Sequence, residues 1–154
     1  MSRYLKILLF FLFINFSALA IGSWLMDNGP QTDWYNGLNK APWTPAGWVF
    51  GFAWTTIMIC FSIYMTALYR AQSNNKLKVL FILQVLLNVS WNYVFFNMHK
   101  IGFGLLIIIL LTVLIAYFLI TYLKKVRLIS LLILPYLLWL LVATSLNMYV
   151  VLNN

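Results

Sequence analysis

Apolar side chains run along this chain in five long blocks: about Tyr4 to Met26, Ala46 to Tyr69, Leu77 to Met98, Ile101 to Leu123 and Leu128 to Leu152. Charge enters them only near an end, at Lys6 and Lys78. A run of about 20 apolar residues matches the thickness of a bilayer's hydrocarbon core. Backbone groups there must pair within their own segment, so each block is predicted to be a helix. Barrel strands would alternate over short stretches, and these blocks are continuous. The pattern predicts an all-α membrane protein of one domain, residues 1–154: a five-transmembrane-helix bundle with a long structured loop between the first two helices. The first block has a second reading, because Arg3, Lys6, an apolar core and Ala18-Leu19-Ala20 resemble a cleavable signal peptide. Its apolar character runs on to Met26, which favours a retained helix.

Composition strengthens the picture: 64% of residues are hydrophobic and 8% charged, outside the range of soluble domains. The net charge of +8 would suggest nucleic acid in a soluble protein. Here the basic residues fall singly or in small clusters between apolar blocks, where they set topology and meet anionic lipid, so no nucleic-acid partner is expected. Arg3, Lys6, Arg70, Lys76, Lys78, Lys124, Lys125 and Arg127 belong to one side, and Lys40 and Lys100 to the other. The positive-inside rule then puts the N-terminus in the cytoplasm and the first loop outside, in a membrane that charge bias suggests is a bacterial inner membrane. Cys60 is the only cysteine and falls inside an apolar block, which excludes an intrachain disulfide and a cysteine metal site and leaves packing as its role. His99 is the only histidine, and Asp27 and Asp33 are the only acids. No metal site, cofactor or buried proton relay is expected from so few ionisable groups.

The loop from Asp27 to about Pro45 contains WYNGLNKAPWTPAGW with its continuation, residues 34–48. Pro42 and Pro45 stiffen the approach to the second helix, with Pro45 near its first turn, and Gly47 and Gly51 would let another backbone come close. Trp34, Trp43 and Trp48 fit an aromatic belt at the membrane interface. They equally fit a lid folded over an aromatic-lined cavity. Inside the blocks, Gln84, Asn88 and Asn92 recur at i, i+4, with Trp91 beside them. Pro135, Trp139, Ala143 and Asn147 repeat that spacing, as do Phe50, Trp54 and Met58. Such amides serve either as glue between helices or as ligand contacts, and tryptophans at this spacing serve as packing or as a pocket wall. Ala18 and Gly22, with Gly102 and Gly104, are candidate helix or subunit contacts.

The strings WYNGLNKAPWTP, GWVFGFAW, QVLLNVSWNYVFF and LPYLLWLLVATSLN, in that order, resemble the tryptophan-rich sensory protein and translocator protein family (TspO/MBR), also called peripheral-type benzodiazepine receptors. The resemblance implies a five-helix bundle, a homodimer, whose first loop closes over a pocket for porphyrins and benzodiazepine-type ligands, and in some members sterols. Carried over by position, the pocket takes in Trp43, Phe50, Trp54, Asn88, Trp91, Tyr136, Trp139, Ala143 and Leu146. The amide stripe adds Gln84, and Lys40 is a candidate contact for a ligand carboxylate. This chain departs from the family in having Ala41 and Ala46 where prolines are common, and Met58 where a tyrosine is common. Tyr149 is followed by VVLNN with no basic residue, which weakens a sterol reading. Leu119, Tyr122 and Lys124 fit only the loose cholesterol pattern.

Four functions compete: a receptor or sensor for tetrapyrroles, a passive transporter of porphyrins or lipids, a porphyrin-degrading enzyme, and a partner-recruiting membrane component. Conventional acid–base catalysis has no candidate residues here. Chemistry, if present, would be light- or oxygen-driven at Trp54 and Trp139.

Overall fold

The computed structural model describes residues 1–154. Its helices are α1 (Arg3–Met26), the short α2 (Asp33–Gly37), α3 (Gly47–Ala71), α4 (Asn75–Asn92), α5 (Ile101–Val126) and α6 (Leu134–Asn153). Four helical runs are long and apolar enough to cross a membrane: Arg3–Gln31, Gly47–Ala71, Asn75–Asn97 and Ile101–Asn153. The last, 53 residues long, holds both α5 and α6. It turns at Arg127, where φ is 48°, and continues as a 3-10 stretch, Arg127–Ile133. The hydroxyls of Thr112 and Thr144 meet at 3.2 Å halfway along the two helices, as an antiparallel hairpin requires.

Local chemistry sets the helix ends. Ser2 caps α1 by accepting the Leu5 N–H at 3.2 Å, and Asn74 caps α4 by accepting the Leu77 N–H at 2.8 Å. Three expectations need correction. The last block was predicted to be helical from Leu128, yet α-helix starts only at Leu134. Pro135 has no N–H to offer and its ring would crowd the carbonyl four residues back, so α geometry cannot extend through Leu131. The second block starts at Gly47 with Ala46 as its cap, which leaves Pro45 ahead of the helix rather than in its first turn. No other part of this chain comes close to Gly47 or Gly51, since a Cβ at either would meet nothing within 4 Å.

The helices close a ring in the order α1, α4, α5, α6, α3 and back to α1, with α3 also touching α5 across the middle. Phe61 of α3 sits at the centre, fully buried. Its ring lies 5.3 Å from Tyr136 of α6, 6.1 Å from Phe118 of α5 and 6.3 Å from Phe81 of α4. α1 joins the core through Phe11, 5.0 Å from Phe81, and through Asn15, whose amide donates to Ser62 Oγ at 2.8 Å. Large apolar side chains such as Phe13, Leu86, Val113 and Ile120 point outward and are exposed, the surface a lipid solvent demands of a bundle.

Candidate ligand pocket

One buried phenol organises the space between α3, α4 and α6. Tyr136 is wholly buried, and its hydroxyl accepts N–H bonds from Gln84 at 2.7 Å and Asn88 at 2.6 Å. The two amides sit one turn apart on α4, so a single hydroxyl from α6 receives both. Trp54 of α3 meets the Tyr136 ring edge-on at 5.8 Å, and Phe50 meets Trp139 at 5.2 Å. Moving from Phe50 to Trp54 on α3 moves backward from Trp139 to Tyr136 on α6, so the two helices run antiparallel here. Trp91 donates its indole N–H to Asn147 Oδ1 at 3.3 Å, and Asn147 donates to the Ala143 carbonyl at 2.9 Å. Ala143 and Leu146 are buried on α6, whereas Trp54, Trp91 and Trp139 are half-buried.

Tyr136 accepts two bonds and keeps one proton to give. Gln84 Oε1 is buried without a partner. A half-turn of that amide would pair the two, and so would a guest offering an acceptor to one and a donor to the other. The site therefore combines edge-on aromatic walls with a small cluster of adjustable polar atoms.

Not every expected residue joins it. Asn92 donates to the Asn88 carbonyl at 3.4 Å and faces α1, where a Cβ on Gly22 would stand 2.7 Å from its Nδ2. Trp43 is 54% exposed and bonds instead to the flank of α6, giving its N–H to Ser145 Oγ at 3.2 Å and packing on Tyr149 at 5.4 Å. Lys40 is held within the loop: its ammonium donates to the Tyr35 carbonyl at 2.9 Å and lies 4.5 Å over the Tyr35 ring. Burial raises the Tyr35 phenol above its ordinary pKa, so that ring stays neutral beneath the cation.

The loop between α1 and α3 is built, not slack. Thr32 caps α2 by accepting the Tyr35 N–H at 3.3 Å, and its own hydroxyl donates to the Gly29 carbonyl at 2.7 Å. Trp34 and Tyr35 settle on Phe95 and Phe96, at 5.7 and 5.3 Å respectively. Those two phenylalanines lie in a π-helical turn, Tyr93–Asn97, that ends α4. Trp34 also stacks on His99 at 4.0 Å. At its far side the loop is tied to the end of α6. The Asn39 N–H donates to Asn154 Oδ1 at 2.9 Å, Asn39 Nδ2 to the Asn153 carbonyl at 2.9 Å, and Asn154 Nδ2 back to the Asn39 carbonyl at 3.3 Å.

The profile of the TspO/MBR family matches residues 10–152, nearly the whole chain. The chain belongs to the TspO/MBR family. Among curated TspO/MBR relatives, the tryptophan-rich protein TspO of Archaeoglobus fulgidus is 36% identical, over 90% of this chain and 92% of its own. Protein CrtK of Rhodobacter capsulatus is 31% identical over 74% of each chain. The translocator protein of Homo sapiens is 30% identical over 78% of this chain and 74% of its own. As a TspO/MBR protein it is an integral membrane protein, in keeping with its apolar helical runs. Within this member, sequence reasoning passed over the loop's fastenings: Asn39, His99, Ser145 and Tyr149. Nothing in their spacing marks them, because each meets a partner distant along the chain. Asn147 alone carried a visible signal, four residues beyond Ala143.

Proposed function

We propose that this TspO/MBR protein is a receptor-like membrane protein that holds a flat hydrophobic ligand of the porphyrin class between α3, α4 and α6, beneath the loop 27–46. One observation carries the reading: aromatic and amide side chains from three helices converge on Tyr136. Indole and phenyl walls suit a flat ring system, and the Tyr136, Gln84 and Asn88 cluster supplies donors and acceptors for its polar edge. In this reading the guest parts Phe50 from Trp139 and Trp54 from Tyr136, and benzodiazepine-type molecules compete for the same space. Lys40 reaches a ligand carboxylate only after leaving the Tyr35 carbonyl, and Trp43 acts at the rim. The run Ile101–Asn153 makes two crossings, giving five in all, with the cationic end in the cytoplasm and two chains forming a homodimer.

Protoporphyrin titration followed by tryptophan fluorescence tests the reading. Saturable quenching is expected in the wild-type chain, weakened at least tenfold in Trp54→Ala and in Trp139→Ala. Quenching that never saturates, or that both variants leave unchanged, would overturn it.

A further inference from the structure

A cavity of about 300 Å³ opens at the end of the bundle opposite the first loop. That volume is at the small end of ligand sites, about 300–1,000 Å³. Three cations border it: Arg70 from the last turn of α3, Lys125 from the last turn of α5, and Arg127, which opens the 3-10 stretch. No acid borders it. The chain's acids, Asp27 and Asp33, follow the far end of α1. Like charges drawn from three elements into one small space repel one another unless an anion sits among them.

Two of the cations are held in place. The Arg70 guanidinium lies 5.5 Å from the centre of the Tyr4 ring, a cation–π contact that ties its direction to α1. Arg127 has φ 48° and ψ −121°, a backbone region that is costly for a residue with a Cβ and natural for glycine. An arginine at a turn that suits glycine points to a use for its side chain. The wall beneath the cations is apolar. Ile63 lies two turns deeper than Arg70 along α3, about 10 Å, with Ala67 between them. Ile129, 40% exposed, leaves the side of the cavity open toward lipid. A cationic mouth above an apolar wall that opens sideways fits a phospholipid in both charge and shape. A soluble phosphate ester would leave the wall bare, and a second copy lying parallel would bring no acid to this end.

We infer that this cavity is a specific site for an anionic phospholipid of the leaflet at the cationic end. The phosphate sits among Arg70, Lys125 and Arg127, and one acyl chain runs over Ala67 and Ile63. Native mass spectrometry of the full chain in neutral detergent, titrated with dioleoyl phosphatidylglycerol or dioleoyl phosphatidylcholine, tests it. Phosphatidylglycerol should bind about 100-fold more tightly, the combined effect of three basic contacts. Arg70→Gln with Arg127→Gln should abolish most of that preference. Lys76→Gln with Lys124→Gln, the same charge change at the same end but outside the cavity, should keep it. Ala67→Phe, which fills the wall and spares every cation, should weaken phosphatidylglycerol binding as well. Arg127→Gly should lose about fivefold in phosphatidylglycerol affinity, while the lipid-free protein unfolds in detergent at a temperature no lower than wild type. Equal retention of the two lipids would overturn the inference, as would loss of the preference in the Lys76 and Lys124 pair. A lower unfolding temperature in Arg127→Gly would overturn the role given to Arg127, by showing that its side chain holds the turn. Displacement of phosphatidylglycerol by glycerol 1-phosphate at equal concentration would overturn the lipid assignment in favour of a soluble phosphate ester.

Discussion

At the scale of single residues, Tyr136 carries more than its size suggests, because two amides of another helix depend on one oxygen. Tyr136→Phe strands the Gln84 and Asn88 N–H groups in an apolar interior. We expect a loss of about 1–2 kcal/mol, read as a lower unfolding temperature in detergent. Adding Gln84→Leu and Asn88→Leu should recover part of it, since the stranded donors would be gone. Gly29 makes a second, purely steric prediction. A Cβ there would stand 2.5 to 2.6 Å from the Cβ and ring atoms of Phe96, whereas one at Gly47 meets nothing. Gly29→Ala should lift the loop from its seat and speed tryptic cleavage after Lys40 several-fold, and Gly47→Ala should leave the rate near wild type.

At the scale of elements, the apolar blocks were legible because a bilayer enforces length and backbone pairing together. The amide stripe was half legible. Each step of four residues advances about 40° around a helix, so Asn92 lies about 80° from Gln84 and turns toward Gly22 instead of Tyr136. The expected triad became a pair for that reason. The break between α5 and α6 was hidden, because it turns on a positive φ at Arg127, a conformation that an arginine in the sequence does not signal. Met58, where the family often has tyrosine, is buried in the core at 1% exposure and leaves Tyr136 as the phenol that the α4 amides reach. The aromatic loop read equally as belt or lid, and Trp34 shows why composition could not choose: its partners, Phe95 and His99, are more than 60 residues away in the chain. The asparagine tie yields a prediction of its own. Asn39→Ala with Asn154→Ala should expose Lys40 to trypsin several-fold faster while shifting unfolding by less than about 1 kcal/mol, since the lost bonds are solvent-exposed.

At the scale of the whole molecule, charge is sorted by end. Tyr4 and Arg70 pair 5.5 Å apart, and Lys125 and Arg127 border the same cavity as both. Asn39, His99 and Asn154 gather with the acids of the first loop at the opposite end. This arrangement predicts labelling by a membrane-impermeant maleimide in intact cells. In a Cys60→Ser background, Gly37→Cys should react from outside and Ser73→Cys only after lysis. The reverse result would invert the proposed orientation.

The first loop is held by two fastenings of unlike chemistry. On one side Trp34 and Tyr35 are pressed into phenylalanine, a grip that salt does not loosen; on the other a few asparagine amides face water. Under the proposed function such a cover would work as a door, with its hinge over the π-helical turn and its latch at the end of α6. A guest would then enter along the α6 side, and the pace of its coming and going would be set by asparagines that never touch it.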